Sequence, residues 1–545
     1  MTEEFDVFKV SSRSRSPRPA ALAAVLVAAL VVPGATAEGA AASHRATSQA
    51  PATQTAHGPG GGVPRPVAGW DRDRLAPGVD LYQGVISGRP GADHWSVTVR
   101  GEGGAHLLPR AAADALAERL RAAGFAPRAE QVAWPRGADR SGPLGVRTRV
   151  GVFGGQNQAD AQRKTLAAAG FDAVSEWTGG DGAPGTGLAR VKVAVIDPAR
   201  FGGELSGSYG THVAGRENVS DMAADARALL AVNAGFFVME SRDGVPGAAA
   251  GIAAYEGQLQ SAATNGRVAM VLRGDGLRPE FRHLSTRLRV HAGGESAVVD
   301  GVNRVPGKIR NCGGTGGDLP TERPLHDVTC TDPDEIVRFT DKLGTATPAG
   351  EGVEAVIDRS GRVVELRPRG GEVPTGGSVL AGIGEGEAWL RAHATVGRRL
   401  SVEEKILDER GRQVRLGSRD DIVSGGPRLV RDGRVAVDYA ADGIDRAGEP
   451  SFAYTWGLKR NPRTAVGVDA RGRLIMVTTA GRQPGYSDGL GLNELAEFMR
   501  SLGARQAMNL DGGGSSGMAV NGKLITMPSD ATGERAVGDA LLLTR

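Results

Sequence analysis

From about residue 93 to residue 178 the chain alternates twice between strand-like and helix-like hydrophobic patterns. The stretches HWSVTVR and VRTRVGVFGG alternate apolar and polar positions, whereas RAAADALAERLRAAGF and QADAQRKTLAAAGF place apolar residues at helical spacing. Both helical stretches end in Ala-Ala-Gly-Phe, which puts Gly124 and Gly170 where a glycine ends a helix. A short strand-like stretch follows each helix. The pattern therefore predicts a doubled βαβ unit, the split arrangement of a ferredoxin-like domain.

From residue 190 to residue 545 alternating apolar segments recur between Gly-rich turns, and helices are few. The clearest helix covers 492–502, and Gly503 closes it. Its apolar face consists of Leu492, Leu495, Phe498, Met499 and Leu502. The pattern predicts an α+β fold class: a small ferredoxin-like domain, then a large strand-rich α+β domain that is one body or two packed subdomains.

The N-terminal segment has the pattern of a secretory signal peptide over residues 1–37. A positive region is followed by the apolar run 20–32 and by the small residues Ala-Thr-Ala at 35–37. We expect cleavage after Ala37, with an uncleaved anchor as the alternative. Residues 38–69, rich in Ala, Ser, Thr, Gly and Pro, are predicted to be a disordered linker. No other apolar run has the length of a membrane helix. We therefore expect a secreted protein, extracellular or cell-wall-associated, without a membrane span after signal cleavage.

The formal charges nearly balance, with 65 Lys and Arg against 62 Asp and Glu. No segment forms a basic domain, which argues against nucleic acid as a partner. The nine histidines show no H-E-x-x-H spacing, and the Gly-rich stretch after Asp511 lacks the Lys of a nucleotide-binding loop. The sequence thus predicts no metal site and requires no cofactor, and it leaves the need for a divalent cation open.

Cys312 and Cys330 are the two cysteines of the chain. In an exported protein, two cysteines separated by a short loop are most simply a disulfide, here one that closes a Gly-rich stretch. A metal site is the alternative, since His326 and Asp327 are near in sequence.

Several polar residues occupy the ends of predicted strands, where folding alone does not require them. Asn233 lies in VNAGFF, Arg428 begins a strand after Gly-Gly-Pro, and Arg463 precedes an apolar strand. Asn509 and Asp511 end another strand, and period-two alternation points both side chains the same way. Each has a simpler explanation: an ion pair for Arg463, a turn hydrogen bond for Asn233, and an Asx-turn for Asp511.

The stretch VGVFGGQNQADAQRKTLAAAGF, with a strand on either side, resembles the SPOR domain, a small module whose family binds glycan strands of peptidoglycan. The resemblance has its core at about 93–178 and implies a peptidoglycan-binding domain over 70–185. A generic α/β spacer is the alternative.

Four ordered motifs of the region 190–545 resemble those of the phosphodiester glycosidase family. They are Asn-x-Gly-Phe-Phe at 233–237, Gly-Gly-Pro at 425–427, Arg-Thr-Ala-x-Gly at 463–467, and a helix with Glu494 followed by Asn-Leu-Asp-Gly-Gly-Gly-Ser at 509–515. One position departs from the pattern, because Ala480 stands before Gly481 and Arg482 where the family often has an acid. The segment around the two cysteines lies outside these motifs and is interpreted as a substrate loop of a subgroup.

The resemblance implies an exported hydrolase that cleaves a sugar-1-phosphodiester, such as an N-acetylglucosamine-1-phosphodiester, in a cell-wall or capsular glycan. A protein that only binds phosphorylated wall glycans without cleaving them is the alternative. The reaction favours a carboxylate near the anomeric carbon and a cation on the phosphate, and Asp511 and Arg463 suit these roles. The candidate catalytic residues are Asp511, Arg463, Asn233, Glu494 and Asn509. The candidate substrate-binding residues are Arg428, Gly512, Gly513, Gly514, Ser515, Gly235 and Phe236.

Overall fold

The structure is a computed structural model that describes residues 64–89, 91–314 and 320–545. Its strands are numbered β1–β32 and its helices α1–α6 in chain order, and the described residues form one compact unit. The predicted signal peptide and residues 38–63 of the predicted linker lie outside the described residues. The described chain is strand-rich α+β, as the hydrophobic pattern predicts.

The largest sheet has eight antiparallel strands in the order β1-β2-β7-β28-β27-β29-β25-β26. These are Asp71–Ala76 (β1), Val79–Ser87 (β2), Leu188–Ile196 (β7), Leu474–Thr479 (β28), Arg463–Asp469 (β27), Ala504–Asn509 (β29), Arg428–Arg431 (β25) and Arg434–Val435 (β26). Its inner strands are apolar on both faces. In β28, Met476 packs in one apolar cluster and the adjacent Val477 in another. A strand covered on both faces reads as a continuous apolar run, which explains LIMV in the sequence.

Helix α6, Leu492–Ser501, packs against the largest sheet. It buries Leu492, Leu495, Ala496, Phe498 and Met499, which confirms the predicted apolar face. Each large side chain of this kind contributes about 1.5–3 kcal/mol when fully buried. Gly503, with φ of 97°, follows the helix as predicted.

Between β2 and β7 the chain builds a separate four-stranded sheet with two helices, which we call the α/β unit. Its strands are Trp95–Val99 (β3), Pro127–Ala133 (β4), Pro143–Phe153 (β5) and Ala173–Trp177 (β6), in the order β4-β5-β3-β6. Its helices are Arg110–Ala122 (α1) and Gln156–Ala168 (α2), and Gly124 and Gly170, both at φ of 83°, follow them as predicted. Its assignment to the SPOR family is not tested by the fold and stays a prediction.

Strands β1 and β2 precede the α/β unit in sequence, yet they pair in the largest sheet, β2 directly with β7. The α/β unit is therefore an insertion into the large domain, which the predicted domain boundary at residue 70 does not reflect. The alternation of a short strand does not tell which sheet it joins, because pairing partners are set by tertiary contacts.

A five-stranded sheet has the order β31-β30-β9-β32-β8. Its strands are Lys523–Leu524 (β31), Met518–Val520 (β30), Leu230–Asn233 (β9), Ala540–Thr544 (β32) and Glu204–Ser208 (β8), and Val219–Asp225 (α3) packs on it. Residues 510–517 connect β29 of the largest sheet to β30 of this one. The glycine-rich loop therefore lies where the two sheets meet.

The other strands of the described chain form four further sheets between residues 253 and 424. One five-stranded sheet contains Ala253–Tyr255 (β10), Gln258–Ser261 (β11), Val268–Leu272 (β12), Glu280–His283 (β13) and Asp421–Ser424 (β24). Another contains Gly301–Val302 (β16), Ile336–Thr340 (β19), Val353–Ile357 (β20), Val363–Pro368 (β21) and Ser378–Gly382 (β22). Three strands, Ser285–Ala292 (β14), Glu295–Val298 (β15) and Ser401–Leu407 (β23), form a third, and Lys308–Arg310 (β17) pairs with Thr329–Thr331 (β18).

The remaining helices are Glu385–His393 (α4) and the short Pro450–Phe452 (α5), which continues into a π-helical turn at Ala453–Leu458. A π-helical turn is rare and often occurs at functional sites. Within the ranges that the structure describes, every helix is too short or too polar to cross a lipid bilayer.

Candidate active site

Asp511 follows the end of β29 and opens the glycine-rich loop, as the alternation in the sequence predicts. Its backbone N–H donates to the carbonyl of Ala234, the residue that follows β9, at 2.9 Å. Its carboxylate Oδ1 accepts the backbone N–H of Gly512 at 2.8 Å. Asp511 thus makes the contact of a local turn and still remains partly exposed.

Protein atoms surround the Asp511 carboxyl group closely enough that burial raises its pKa to about 6. The N–H of Gly512 and the charge of Arg535 oppose this effect by favouring the carboxylate, whereas the charge of Asp327 adds to it. The buried Ser515 hydroxyl makes no hydrogen bond of normal geometry, yet it lies near enough to favour the carboxylate as well. At neutral pH Asp511 is therefore mostly ionised and still basic enough to accept a proton.

Asn233, at the end of β9, holds the backbone of this loop. Its Nδ2 donates to the carbonyl of Asp511 at 2.8 Å. Its Oδ1 accepts the Thr464 hydroxyl at 2.6 Å and the Gly517 N–H at 3.1 Å. Asn233 is fully buried. The structure thus brings Asn233 to Asp511 as predicted, and it gives Asn233 the contacts of a positioning residue.

Arg463, at the start of β27, is buried beside the loop. Its Nε donates to the carbonyl of Leu490 at 3.1 Å and its Nη2 to that of Trp456 at 2.6 Å. Its Nη1 has no hydrogen-bond partner among the described residues. A β-carbon on Gly512 would lie 3.9 Å from this Nη1. Burial lowers the pKa of Arg463 to about 10, which leaves the guanidinium charged at neutral pH.

The second and third glycines of the loop lie against two further arginines that the sequence-based list does not contain. A β-carbon on Gly513 would lie 3.1 Å from Nη2 of Arg482, and Gly513 also has φ of 60°. A β-carbon on Gly514 would overlap the guanidinium of Arg535, which is paired with Asp530 at 2.7 Å. The second and third glycines thus each make room for an arginine, whereas the atom nearest to a β-carbon on Gly512 would be the carbonyl oxygen of Pro462, at 3.1 Å.

Arg482 had a signal in the sequence, since it is the arginine of the Ala-Gly-Arg stretch that departs from the family pattern only at Ala480. Its Nε donates to Asn461 at 2.9 Å, and burial lowers its pKa, with the charge of Arg535 acting in the same direction. Arg535 lies in no motif, and only the tertiary structure reveals it. We call Arg463, Arg482 and Arg535 the arginine cluster.

Two other predicted catalytic residues lie near this group but have their side chains engaged. Glu494 accepts the backbone N–H of Gly491 at 3.0 Å and pairs with Arg460 at 2.5 Å, so it caps the start of α6. The Glu494 charge also raises the pKa of Arg463. Asn509 donates to the carbonyls of Gly426 and Leu510, at 2.8 and 2.6 Å, and its buried Oδ1 has no hydrogen-bond partner among the described residues.

The structure does not bring Arg428 to the arginine cluster. Its Nη1 donates to Gln506 at 2.9 Å, and its Nη2 lies 3.5 Å from the carbonyl of Phe281. Burial lowers its pKa, and the charge that lowers it further is that of Arg431 rather than of a cluster arginine. The motif did not reveal this position, because side chains alternate along β25 and the first residue of a strand can face either side of the sheet.

The predicted binding residues Gly235 and Phe236 lie next to Asp539 and His326. Gly235 donates its N–H to Oδ1 of Asp539 at 2.7 Å, and the Phe236 ring packs edge-on against His326, with 4.9 Å between centroids. Asp539 is a buried carboxyl group that sequence patterns did not single out. Burial raises its pKa to about 7, the Tyr255 hydroxyl and the Gly235 N–H lower it, and the charge of Asp511 raises it.

The predicted disulfide between Cys312 and Cys330 is confirmed. The segment that it closes carries His326 into the site, where the ring lies 4.1 Å from that of Trp456. Arg267 lies 2.7 Å from its Nδ1, and burial, with the Arg267 charge, keeps the His326 pKa well below its usual value. The interpretation of this segment as a substrate loop is consistent with its position beside Phe236 and Trp456.

Among the described residues, no group of three or more His, Cys, Asp or Glu side chains could hold a metal ion. A cavity of about 250 Å³ lies on the face of the largest sheet, with Gln83, Lys192 and Tyr486 in its walls. Neither Asp511 nor the arginine cluster lines it. The candidate site is therefore defined by its side chains and not by this cavity.

Comparisons with known proteins agree with the motifs. Residues 351–544 match the family model for phosphodiester glycosidases. The N-acetylglucosamine-1-phosphodiester alpha-N-acetylglucosaminidase of Mus musculus is 32% identical over 154 residues, and that of Homo sapiens 30% over 154 residues. In each pair the match covers 28% of this chain and 28% of the relative, so the chain spans under a third of the curated enzymes' length.

Solved structures extend the likeness to most of the chain. A candidate exported protein from Burkholderia pseudomallei has a TM-score of 0.78 and 34% identity, over 87% of this chain and 96% of that one. A protein from Synechocystis has a TM-score of 0.51 and 18% identity, over 87% of this chain and 80% of that one, and shows a shared fold alone.

Proposed function

Because the chain belongs to one family with the Burkholderia pseudomallei protein and carries a phosphodiester glycosidase domain at 351–544, we propose that it hydrolyses a sugar-1-phosphodiester. The linkage resembles that of an N-acetylglucosamine-1-phosphodiester. The observation that carries this proposal is a partly exposed carboxylate, Asp511, near enough to interact electrostatically with all three guanidinium groups of the arginine cluster.

The chemistry needs a carboxylate near the anomeric carbon, because cleavage passes through an oxocarbenium-like state. Asp511 acts either as the nucleophile or as the base that takes a proton from water. The bond between the anomeric carbon and the phosphate oxygen breaks, and the electron pair leaves with the phosphate. Water supplies the new hydroxyl group of the sugar.

The leaving group is a phosphate monoester, whose second pKa is about 6, so it departs with little need for a general acid. The charge that it gains must instead be stabilised by cations and N–H groups. The arginine cluster supplies the cations. The Nη1 of Arg463, which has no protein partner among the described residues, is the best placed donor, because its other two nitrogens are held by backbone carbonyls.

We propose that the sugar lies against the aromatic wall of Phe236 and Trp456, and that the substrate is a cell-wall or capsular glycan outside the cell. Aromatic faces with a few convergent polar groups are typical of small-molecule sites. The signal-peptide pattern of residues 1–37 supports export, and the resemblance of the α/β unit to the SPOR domain supports binding to peptidoglycan.

The experiment is a screen of synthetic sugar-1-phosphodiesters for release of free reducing sugar, with Asp511→Asn as the matched inactive protein. Turnover by the native protein alone, with one sugar preferred, supports the proposal. Saturable binding of these diesters without product supports the non-enzymatic alternative and contradicts the proposal.

A further inference from the structure

We propose that the α/β unit takes part in catalysis by holding the segment 450–460, here called the bridging segment, which positions Arg463 and Trp456. This inference rests on the proposed function. It assigns positioning roles to Tyr454 and Lys459, two residues that belong to none of the sequence motifs.

The bridging segment is held by the α/β unit at three successive points. Near its start, Ser451 Oγ accepts the backbone N–H of His106 at 2.8 Å. The Tyr454 hydroxyl is buried, accepts a short hydrogen bond from Arg147 and lies 3.3 Å from Asp181. Near its end, the Lys459 ammonium pairs with Glu176.

The groups that hold it belong to a buried charge network. Arg149 is almost fully buried and lies 2.8 Å from Asp181 and 3.4 Å from Glu176. Arg147 pairs with Asp181 at 3.0 Å and with Glu130 at 2.7 Å. A buried charge that loses one partner is costly, because no water replaces it. Such a network therefore fixes the geometry of everything bonded to it.

Arg460 extends this attachment to the helix beside the active site. Its backbone N–H donates to the carbonyl of Gly180 at 2.8 Å, and its Nη1 donates to that of Gly179 at 2.6 Å. The same guanidinium pairs with Glu494, the residue that caps α6. Glu494 therefore belongs to the structure that connects the α/β unit with the catalytic domain.

The other side of the bridging segment carries the active-site contacts. The Trp456 carbonyl accepts Nη2 of Arg463 at 2.6 Å, and the Arg463 guanidinium lies 5.4 Å from the centre of the Trp456 ring. Residues two apart on a helical turn do not share a face. Tyr454 accordingly contacts the α/β unit, and Trp456 contacts Arg463 in the active site. Because the two residues lie on one turn, a shift of Tyr454 displaces Trp456.

The residues that follow continue into the glycine loop. The side-chain Oδ1 of Asn461 accepts a hydrogen bond from Nε of Arg482 at 2.9 Å, and the Pro462 carbonyl accepts the N–H of Gly513 at 2.9 Å. One continuous run from Ser451 to Arg463 thus joins the buried network of the α/β unit to two members of the arginine cluster. The geometry points to the α/β unit as a support on which phosphate binding depends.

The test uses full-length Tyr454→Phe, which removes one hydroxyl group, and Lys459→Met with Lys459→Arg as its rescue. Arg121→Ala, an exposed change on α1 of the same unit, is the control. Four quantities are measured for each: kcat and KM on a sugar-1-phosphodiester, the Kd of inorganic phosphate by calorimetry, and the melting temperature. We expect kcat to fall by about tenfold or more in Tyr454→Phe and Lys459→Met. We expect phosphate to bind several-fold more weakly, Lys459→Arg to recover part of both losses, and Arg121→Ala to match the native protein.

A lower melting temperature with unchanged kcat and phosphate affinity in both variants would mean that these contacts only stabilise the fold, and it overturns the inference. If the native protein cleaves no sugar-1-phosphodiester, the proposed function fails. The phosphate affinities then still decide the inference, because they need no turnover.

Discussion

Arg482 packs against the backbone of Gly513, so closely that a β-carbon there would lie 3.1 Å from its Nη2. A similar relationship joins Gly514 to Arg535, whose guanidinium an added β-carbon would overlap. Glycine loses more conformational entropy on folding than any other residue, so three in succession need a reason. For the second and third glycines the reason is the close approach of two cations to one stretch of backbone next to Asp511. For Gly512 the nearest atom to an added β-carbon is the carbonyl oxygen of Pro462, at 3.1 Å.

Gly514→Ala tests this relationship without a change of backbone strain, because Gly514 does not have a positive φ. The added methyl group displaces the end of the flexible Arg535 side chain, so we expect weaker phosphate binding with a stability loss of only about 1 kcal/mol. The matched control is Gly154→Ala, since a β-carbon at Gly154 meets no atom within 4 Å. Equal phosphate affinity in the two variants, measured by calorimetry, would show that Arg535 does not contact the phosphate.

Arg463→Lys and Arg428→Lys form a second matched pair. The Arg463 guanidinium binds two backbone carbonyls and still has Nη1 to offer to the phosphate, whereas a lysine keeps only the charge. Arg463→Lys should therefore lower kcat/KM by about ten- to a hundredfold. Arg428→Lys should change kcat/KM less than about threefold, because its contacts lie outside the arginine cluster. A large loss in Arg428→Lys alone would restore the phosphate-binding role that its Gly-Gly-Pro motif suggests.

The features that sequence patterns predict are those whose cause is local. The apolar face of α6, the helix ends at Gly124 and Gly170, and the position of Asp511 at the end of a strand all follow from spacing along the chain. The disulfide followed from the presence of two cysteines in a chain with an export signal pattern.

The features that escape prediction depend on distant parts of the chain. Arg535 and Asp539 lie in no motif, and they approach Asp511 only because β32 pairs with β9. Glu494 belongs to a motif, but its position three residues into a helix is also that of a capping residue, and the structure shows the cap. A motif therefore located the site, and tertiary contacts were needed to separate positioning residues from those that face the substrate.

The raised pKa of Asp511 predicts an acid limb in the pH profile. Asp511 must be ionised to act, so kcat/KM should rise with pH through about 6 and then stay level until Arg463 begins to lose its proton near pH 10. The measurement is kcat/KM from about pH 5 to pH 9 at constant ionic strength. A rate that is highest at pH 5 and falls through pH 6 would mean that the reaction needs the protonated acid.

Opening the disulfide should loosen the segment between Cys312 and Cys330, which carries His326. A closed loop of this size contributes about 3 kcal/mol by the chain-entropy estimate. The double variant with Cys312→Ser and Cys330→Ser should therefore unfold at lower denaturant concentration and show a higher KM. A reducing agent should reproduce both effects in the native protein and have none on the double variant. Two free thiols in native material, detected by mass spectrometry, would contradict the bond itself.

The decisive measurement for the role of Asp511 is the rate of Asp511→Asn on a sugar-1-phosphodiester. Asparagine keeps the shape of the side chain and removes the negative charge, so kcat should fall by about three orders of magnitude or more. The fold should survive, because the raised pKa means that the ionised carboxylate costs stability above about pH 6, and the neutral amide removes that cost. We expect an Asp511→Asn protein with an unchanged or higher melting temperature at pH 7.5, intact phosphate binding and almost no release of sugar. A folded Asp511→Asn protein that releases sugar at the native rate would contradict the catalytic role of Asp511, which would then be a turn residue.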